Sequence, residues 1–110
     1  MASPGSDLLH GTLDALILKT LSWGPRHGYA IARWLEDTTA DALQIEEGSL
    51  YPALYRMEKR GWLQAKWGTS ELGRTAKIYS LTRVGRAQLR IETAQWTFFA
   101  AAVSRVLLPA

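Results

Sequence analysis

The chain has 110 residues, no cysteine and a net charge of +3, with 47% hydrophobic and 21% charged residues; one domain with a modest core fits that length. Without cysteine, disulfides, thiolate chemistry and cysteine-ligated zinc are excluded. Residues 1–47 carry three Lys/Arg against seven Asp/Glu and residues 48–90 nine against two, a basic middle that suits a polyanion but equally an acidic protein or an anionic membrane surface.

Residues 1–7 lack the basic and apolar regions of a signal peptide and read as a flexible, Ser/Pro/Gly-containing tail. Residues 8–23 are expected to form the first helix, with Thr12 as a plausible N-cap and Leu13, Leu16, Ile17, Thr20 and Leu21 as its stripe. Ala15 and Leu18 widen the stripe beyond one face, so the helix is expected to pack on its own core and against a second subunit. Gly24-Pro25 ends it. A second helix is expected over residues 26–37, with Ile31, Trp34, Leu35 and Thr38 on one face. Tyr29 near its start suits a phosphate contact at a helix N-terminus and equally suits plain packing. Residues 38–47 read as a connector in which Leu43 and Ile45 permit a very short strand.

Residues 46–61 carry a third helix. Ser49 is expected to N-cap it, Pro52 to sit in its first turn, and Gly61 to end it in a left-handed conformation. Leu50, Ala53, Leu54 and Met57 form the dry face. Ser49, Pro52, Arg56 and Lys59 lie opposite, with Tyr51 and Tyr55 on the flank. Hydroxyls and cations of this kind suit a helix lying in a DNA groove, and also an ordinary wet surface.

After Gly61 the period changes to two. Residues 62–67 and 76–81 read as strands, with Leu63, Ala65 and Trp67 on one side of the first. The glycine-bounded loop between them, residues 68–75, is expected to project as a wing with Arg74 and Lys77 at or near its tip. Thr82 caps a final helix that runs to Leu108 before Pro109. Its two apolar stripes suit one side facing the first helix and the other a partner helix in a two-fold dimer. Leu13, Ile17, Ile91, Trp96, Phe98, Phe99 and Val103 are the expected dimerisation residues. Residues 93–108 are too short for a membrane span and contain Arg105.

These elements give an α+β, mainly α, winged helix-turn-helix over residues 8–81 with a C-terminal dimerisation helix over residues 82–110. The chain resembles PadR-family transcriptional regulators of the smaller-tailed subgroup. The matching segments run in order from Leu9-His10-Gly11-Thr12-Leu13-Asp14 through Gly24-Pro25-Arg26-His27-Gly28-Tyr29-Ala30-Ile31-Ala32. They continue with Glu47-Gly48-Ser49-Leu50-Tyr51-Pro52-Ala53-Leu54, Glu58-Lys59-Arg60-Gly61-Trp62-Leu63, Trp67-Gly68 and Leu81-Thr82-Arg83-Val84-Gly85-Arg86.

The resemblance implies a cytoplasmic homodimeric repressor that binds an inverted repeat of double-stranded DNA and is released by a small-molecule effector or another signal. It places Tyr29, Ser49, Tyr51 and Pro52 at DNA-facing positions, with Lys59 nearby and Arg74 and Lys77 on the wing. It also implies a ligand role for Trp96, since some relatives bind flat aromatic drugs between interface tryptophans. Two departures stand out: the wing lacks the basic run of many relatives, and Tyr55 stands where relatives often have histidine.

Other classes fit less well. His10 and His27 are the sole histidines and neither has a spaced metal partner or a serine-nucleophile motif. Asp37, Asp41, Glu46 and Glu47 read as a solvated connector. No enzyme activity, metal or cofactor is therefore expected. The remaining alternative is a winged-helix protein-interaction module without sequence-specific DNA binding.

Overall fold

The first helix turns its apolar stripe inward on all its core-facing rungs. In the computed structural model, which describes residues 11–69 and 72–108, helix α1 spans Leu13–Leu21 behind an N-cap at Thr12. The expected tail, Leu8 to His10, and Pro109 lie outside the described residues. Leu13, Ile17, Leu18 and Leu21 are buried in the chain's own core. This corrects the assignment of Leu13 and Ile17 to a dimer interface: Ile17 has no exposed surface to offer a partner. The one buried polar residue among those described, Thr20, donates its hydroxyl to the Leu16 carbonyl at 2.8 Å, so its burial leaves no unpaired group.

The second predicted helix begins two residues late. Arg26–His27 is a short strand, β1, and helix α2 spans Gly28–Thr38. Helix α3 spans Glu47–Lys59, strands β2 and β3 span Leu63–Thr69 and Thr75–Leu81, and helix α4 spans Arg83–Leu107. The sheet order is β1-β3-β2, all antiparallel. β1 pairs Arg26 with Tyr79 and His27 with Ile78, which ties the entry of α2 to the wing.

No strand forms at residues 43–45, and the connector is held by side chains instead. The Ile45 amide donates to the Glu36 carboxylate at 3.0 Å and the Leu43 amide to the Thr39 hydroxyl at 3.2 Å. Ala40 and Asp41 turn the chain through positive φ. These contacts seat Ile45 in the core and aim the chain into α3.

Helix α3 starts earlier than its hydroxyl suggests. Glu46 holds the N-cap position in extended conformation, so Ser49 is the third helical residue and not the cap. Pro52 is consequently sixth, inside the helix, where it withholds an amide from the Gly48 carbonyl. The dry face is as expected: Leu50, Ala53, Leu54 and Met57 are all buried. Gly61 follows at φ +79°, the left-handed geometry that reverses the chain into β2.

The hairpin reaches further than its alternation indicates. Its ladder runs from Leu63↔Leu81 to Thr69↔Thr75. At its base, Thr82 caps α4: its hydroxyl accepts from the Gly85 amide at 3.0 Å, and its own amide donates to the Trp62 carbonyl at 3.1 Å. Helix α4 packs its first turns on α1 and β3. Beyond them it carries exposed Ile91, Trp96, Phe98, Phe99, Val106 and Leu107.

Candidate nucleic-acid interface

At about 100° per residue, α3 presents three sides. Its core side packs the domain. Its outward rungs carry Pro52, Tyr55 and Lys59, all exposed, with the Lys59 ammonium 5.1 Å from the Tyr55 ring centre. Its two edges are engaged with other elements. On one, Arg56 pairs with Asp14 of α1 and Ser49 is half-buried. On the other, Glu58 pairs with Lys77 of β3 at 3.6 Å, and Tyr51 leans over the start of α2.

The Tyr51 contact depends on a glycine. A Cβ at Gly28 would stand 2.7 Å from Tyr51 Cε1, so Gly28 lets the recognition-helix tyrosine lie against the first turn of α2. There His27 caps the helix, its Nδ1 accepting from the Ala30 amide at 3.3 Å. That bond leaves Nε2 as the protonated nitrogen of the neutral ring. The Tyr29 ring stacks beside His27 at 6.2 Å, and Arg33 donates to the Tyr29 oxygen at 3.0 Å. The Tyr29 hydroxyl hydrogen is then left to point outward to an acceptor.

Between α2, α3 and the wing lies an open cleft of about 590 Å³. His27, Tyr29, Tyr51, Trp67, Arg74 and Lys77 are among its walls. Tyr79 lies on its floor, where burial holds the phenol above its ordinary pKa, with the charges of Glu58 and Tyr51 acting the same way. Lys77 lies on the wing, near its tip but within the strand rather than in the loop. It stands opposite Trp67, two rungs inside the ladder, with its ammonium 6.0 Å from the indole centre. Arg74 directly precedes β3 and is the described cation nearest the tip.

Of nine expected DNA-facing residues, the fold therefore gathers Tyr29, Tyr51, Arg74 and Lys77 in one cleft, and sets Pro52, Tyr55 and Lys59 on the adjoining helix face. Ser49 and Arg56 fall on the α1 edge instead. Sequence reasoning missed His27, Gly28 and Trp67. Trp67 had a usable signal, since it shares a strand face with Leu63 and Ala65 but lies beyond the reach of the core.

A recognition helix, a wing and a helix N-terminus on one face give the geometry of a winged helix-turn-helix. The model of the family described as "Transcriptional regulator PadR-like family" matches residues 17–91. The chain belongs to this family. A curated relative from Lysinibacillus sphaericus, described only as an uncharacterized protein, is 33% identical over 91 residues, 83% of this chain and 84% of the relative. Solved PadR structures superpose along nearly the whole chain. A PadR family transcriptional regulator from Eggerthella lenta matches with a TM-score of 0.80 at 33% identity, covering 94% of this chain and 88% of that one. A PadR-like regulator from Bacillus cereus gives 0.79 at 29%, covering 94% and 99%. A transcriptional regulator from Clostridium thermocellum gives 0.83 at 26%, covering 90% and 96%. PadR membership makes the chain a DNA-binding transcription regulator with a winged-helix fold. No helix among the described residues is long and apolar enough to cross a membrane.

The other feature of this PadR chain is the groove between α1 and α4. Trp96 lines two neighbouring cavities there, of about 440 and 270 Å³. Glu92 lines both and accepts from Gln88 at 3.3 Å. Burial raises the Glu92 carboxyl above the ordinary carboxylate range, and Asp14 adds to this against the opposing Gln88 bond and Arg60 charge. A raised carboxyl binds more protons folded than unfolded, so its contribution falls as pH rises through that window. Glu92→Gln is accordingly expected to raise the urea midpoint at neutral pH. The gain should vanish below the ordinary carboxylate pKa of about 4.3. A lower midpoint at neutral pH would contradict the buried-charge account.

Proposed function

We propose that the protein is a homodimeric repressor that binds an inverted-repeat operator in the cytoplasm and is released by a small-molecule effector or a comparable signal. The observation that carries this reading is the single cleft shared by α2, α3 and the wing, where tyrosine hydroxyls, Arg74 and Lys77 converge. Tyr29 and Arg74 suit phosphate contacts that set register. Tyr51, Pro52 and Tyr55 suit the groove, and Lys59 adds charge along the same face. The unpartnered apolar surface of α4 supports a second copy, with Ile91, Trp96, Phe98, Phe99 and Val103 at the interface. The cavities beside Trp96 support an effector pocket at that interface.

The test is titration of the purified protein against duplex fragments of its own promoter region across a salt series. Affinity is expected to fall steeply with salt as counterions are released. Lys59→Ala should weaken binding to every sequence and reduce the log–log salt slope by about 0.9. A protein-interaction module would bind none of the fragments, or bind without salt dependence.

A further inference from the structure

Trp67 is the largest apolar side chain in the cleft, and 68% of it is exposed. A monomeric core does not explain it. Its strand neighbours on the same face, Leu63 and Ala65, are covered by the domain, whereas Trp67 stands two rungs nearer the loop. Its surroundings are specific. Residues opposite each other on an antiparallel ladder share a face, so Lys77 stands beside the indole, its ammonium 6.0 Å from the ring centre. Arg74 lies on the loop side of the same cleft, and Tyr29 and Tyr51 close it toward the helices. An apolar plate flanked by cations matches the alternation of a DNA strand, in which each apolar deoxyribose face lies between two phosphates.

We infer that Trp67 is a DNA-contacting residue of the wing, its indole packing on a deoxyribose face while Arg74 and Lys77 take the flanking phosphates; this rests on the DNA-binding reading above. Lys77 is oriented for this from two sides, by the indole and by Glu58 of α3 at 3.6 Å. The contact is continuous with the face that carries Tyr29 and Tyr51. Arg74 and Lys77 outnumber Glu47, the one acidic residue among the described lining of the cleft, and the basic segment 48–90 around it favours a polyanion over an apolar protein partner. The ring itself carries no charge. Its contribution is therefore separable from that of the cations around it, because only charged contacts change the salt slope.

The experiment compares the full-length wild type, Trp67→Ala and Trp67→Phe on the tightest-binding promoter duplex, across a salt series, with tryptophan emission followed in the same titrations. Trp67→Ala is expected to bind about tenfold more weakly with an unchanged salt slope. Trp67→Phe keeps an aromatic plate and should bind within about threefold of wild type, while losing most of the DNA-induced emission change. Because Trp67 is exposed, both variants should keep the wild-type unfolding midpoint. Wild-type affinity in Trp67→Ala, or a full emission change in Trp67→Phe, would overturn the contact while leaving the DNA-binding reading intact. A wild type that binds no duplex would overturn both. A change in sedimentation of Trp67→Ala without DNA would assign the indole to a second copy of the chain and overturn the contact as well.

Discussion

Gly85→Ala is expected to destabilise the domain by about 3 kcal/mol or more, the upper end of overpacking costs. A Cβ on Gly85 would stand 2.0 Å from the Trp62 carbonyl oxygen and 3.1 Å from Leu81 Cδ2. The first of these neighbours is backbone, so no rotamer change relieves it. Nor can that backbone move alone, because the same carbonyl accepts from the Thr82 amide and hydroxyl at 3.1 Å. Thr82 in turn holds the Gly85 amide. The start of α4, the end of β3 and the turn after α3 are thus bonded into one corner. Shifting α4 outward would uncover Leu81 and withdraw the helix from α1. For a domain of this size the thermal midpoint should fall by roughly 12–24 °C. Circular dichroism melts at one fixed protein concentration check this, since oligomerisation would otherwise move the midpoint. Gly48→Ala is the control of opposite sign. Its Cβ would meet nothing within 4 Å inside α3, so it should stabilise by up to about 1 kcal/mol. Equal midpoints for the two variants would show that the corner is not seated as described.

That corner also marks what a sequence reading can reach. Thr82 was legible as a cap and Gly61 as a left-handed stop, because both act on residues a few positions away. The dry face of α3 was legible for the same reason: a 3.6-residue period is local. Interactions between distant segments were not. β1 is two residues long, too short to carry a period, and exists through pairing with Ile78 and Tyr79 some fifty positions later. Arg56 read as a free cation on a wet face because Asp14 lies 42 residues away. Lys77 read as a cation at or near the wing tip, but its place opposite Trp67 was not legible, because the hairpin register follows from strands longer than their alternation indicated. Ser49 read as a cap because Ser is the better capping residue. The backbone instead enters the helix at Glu46, where the connector's bonds to Glu36 and Thr39 aim it. Most of the expected DNA-facing residues therefore share one side of the fold, while the pairing state of its cations depended on tertiary partners.

Phe98→Asp should leave the fold intact and convert the proposed dimer to monomers. Phe98 is 78% exposed, so the substitution removes nothing from the chain's own core. α4 spans 25 residues, about 37 Å at 1.5 Å per residue, and its outer half carries Trp96, Phe98, Phe99, Val106 and Leu107 at the surface. At about 100° per residue Trp96, Phe99, Val106 and Leu107 share one side of the helix while Phe98 and Ile91 lie on another, so this half is apolar and exposed on more than one side and calls for a covering partner. A two-fold partner places the same patch against itself, so one substitution introduces two carboxylates into one apolar interface. Sedimentation should then give a monomer with a helical spectrum close to wild type. The effect on DNA follows from geometry. Two linked reading heads on one inverted repeat gain avidity of about 10²–10⁴ over a single head, and Phe98→Asp should forfeit that factor on a full operator. On a half-site the variant and the wild type should bind alike, since Tyr29, Tyr51, Lys59 and the wing are untouched. A variant that stays dimeric would place the interface elsewhere on the chain. One that is monomeric yet binds the full operator as tightly as wild type would remove the two-headed mechanism while leaving the reading face of each protomer in place.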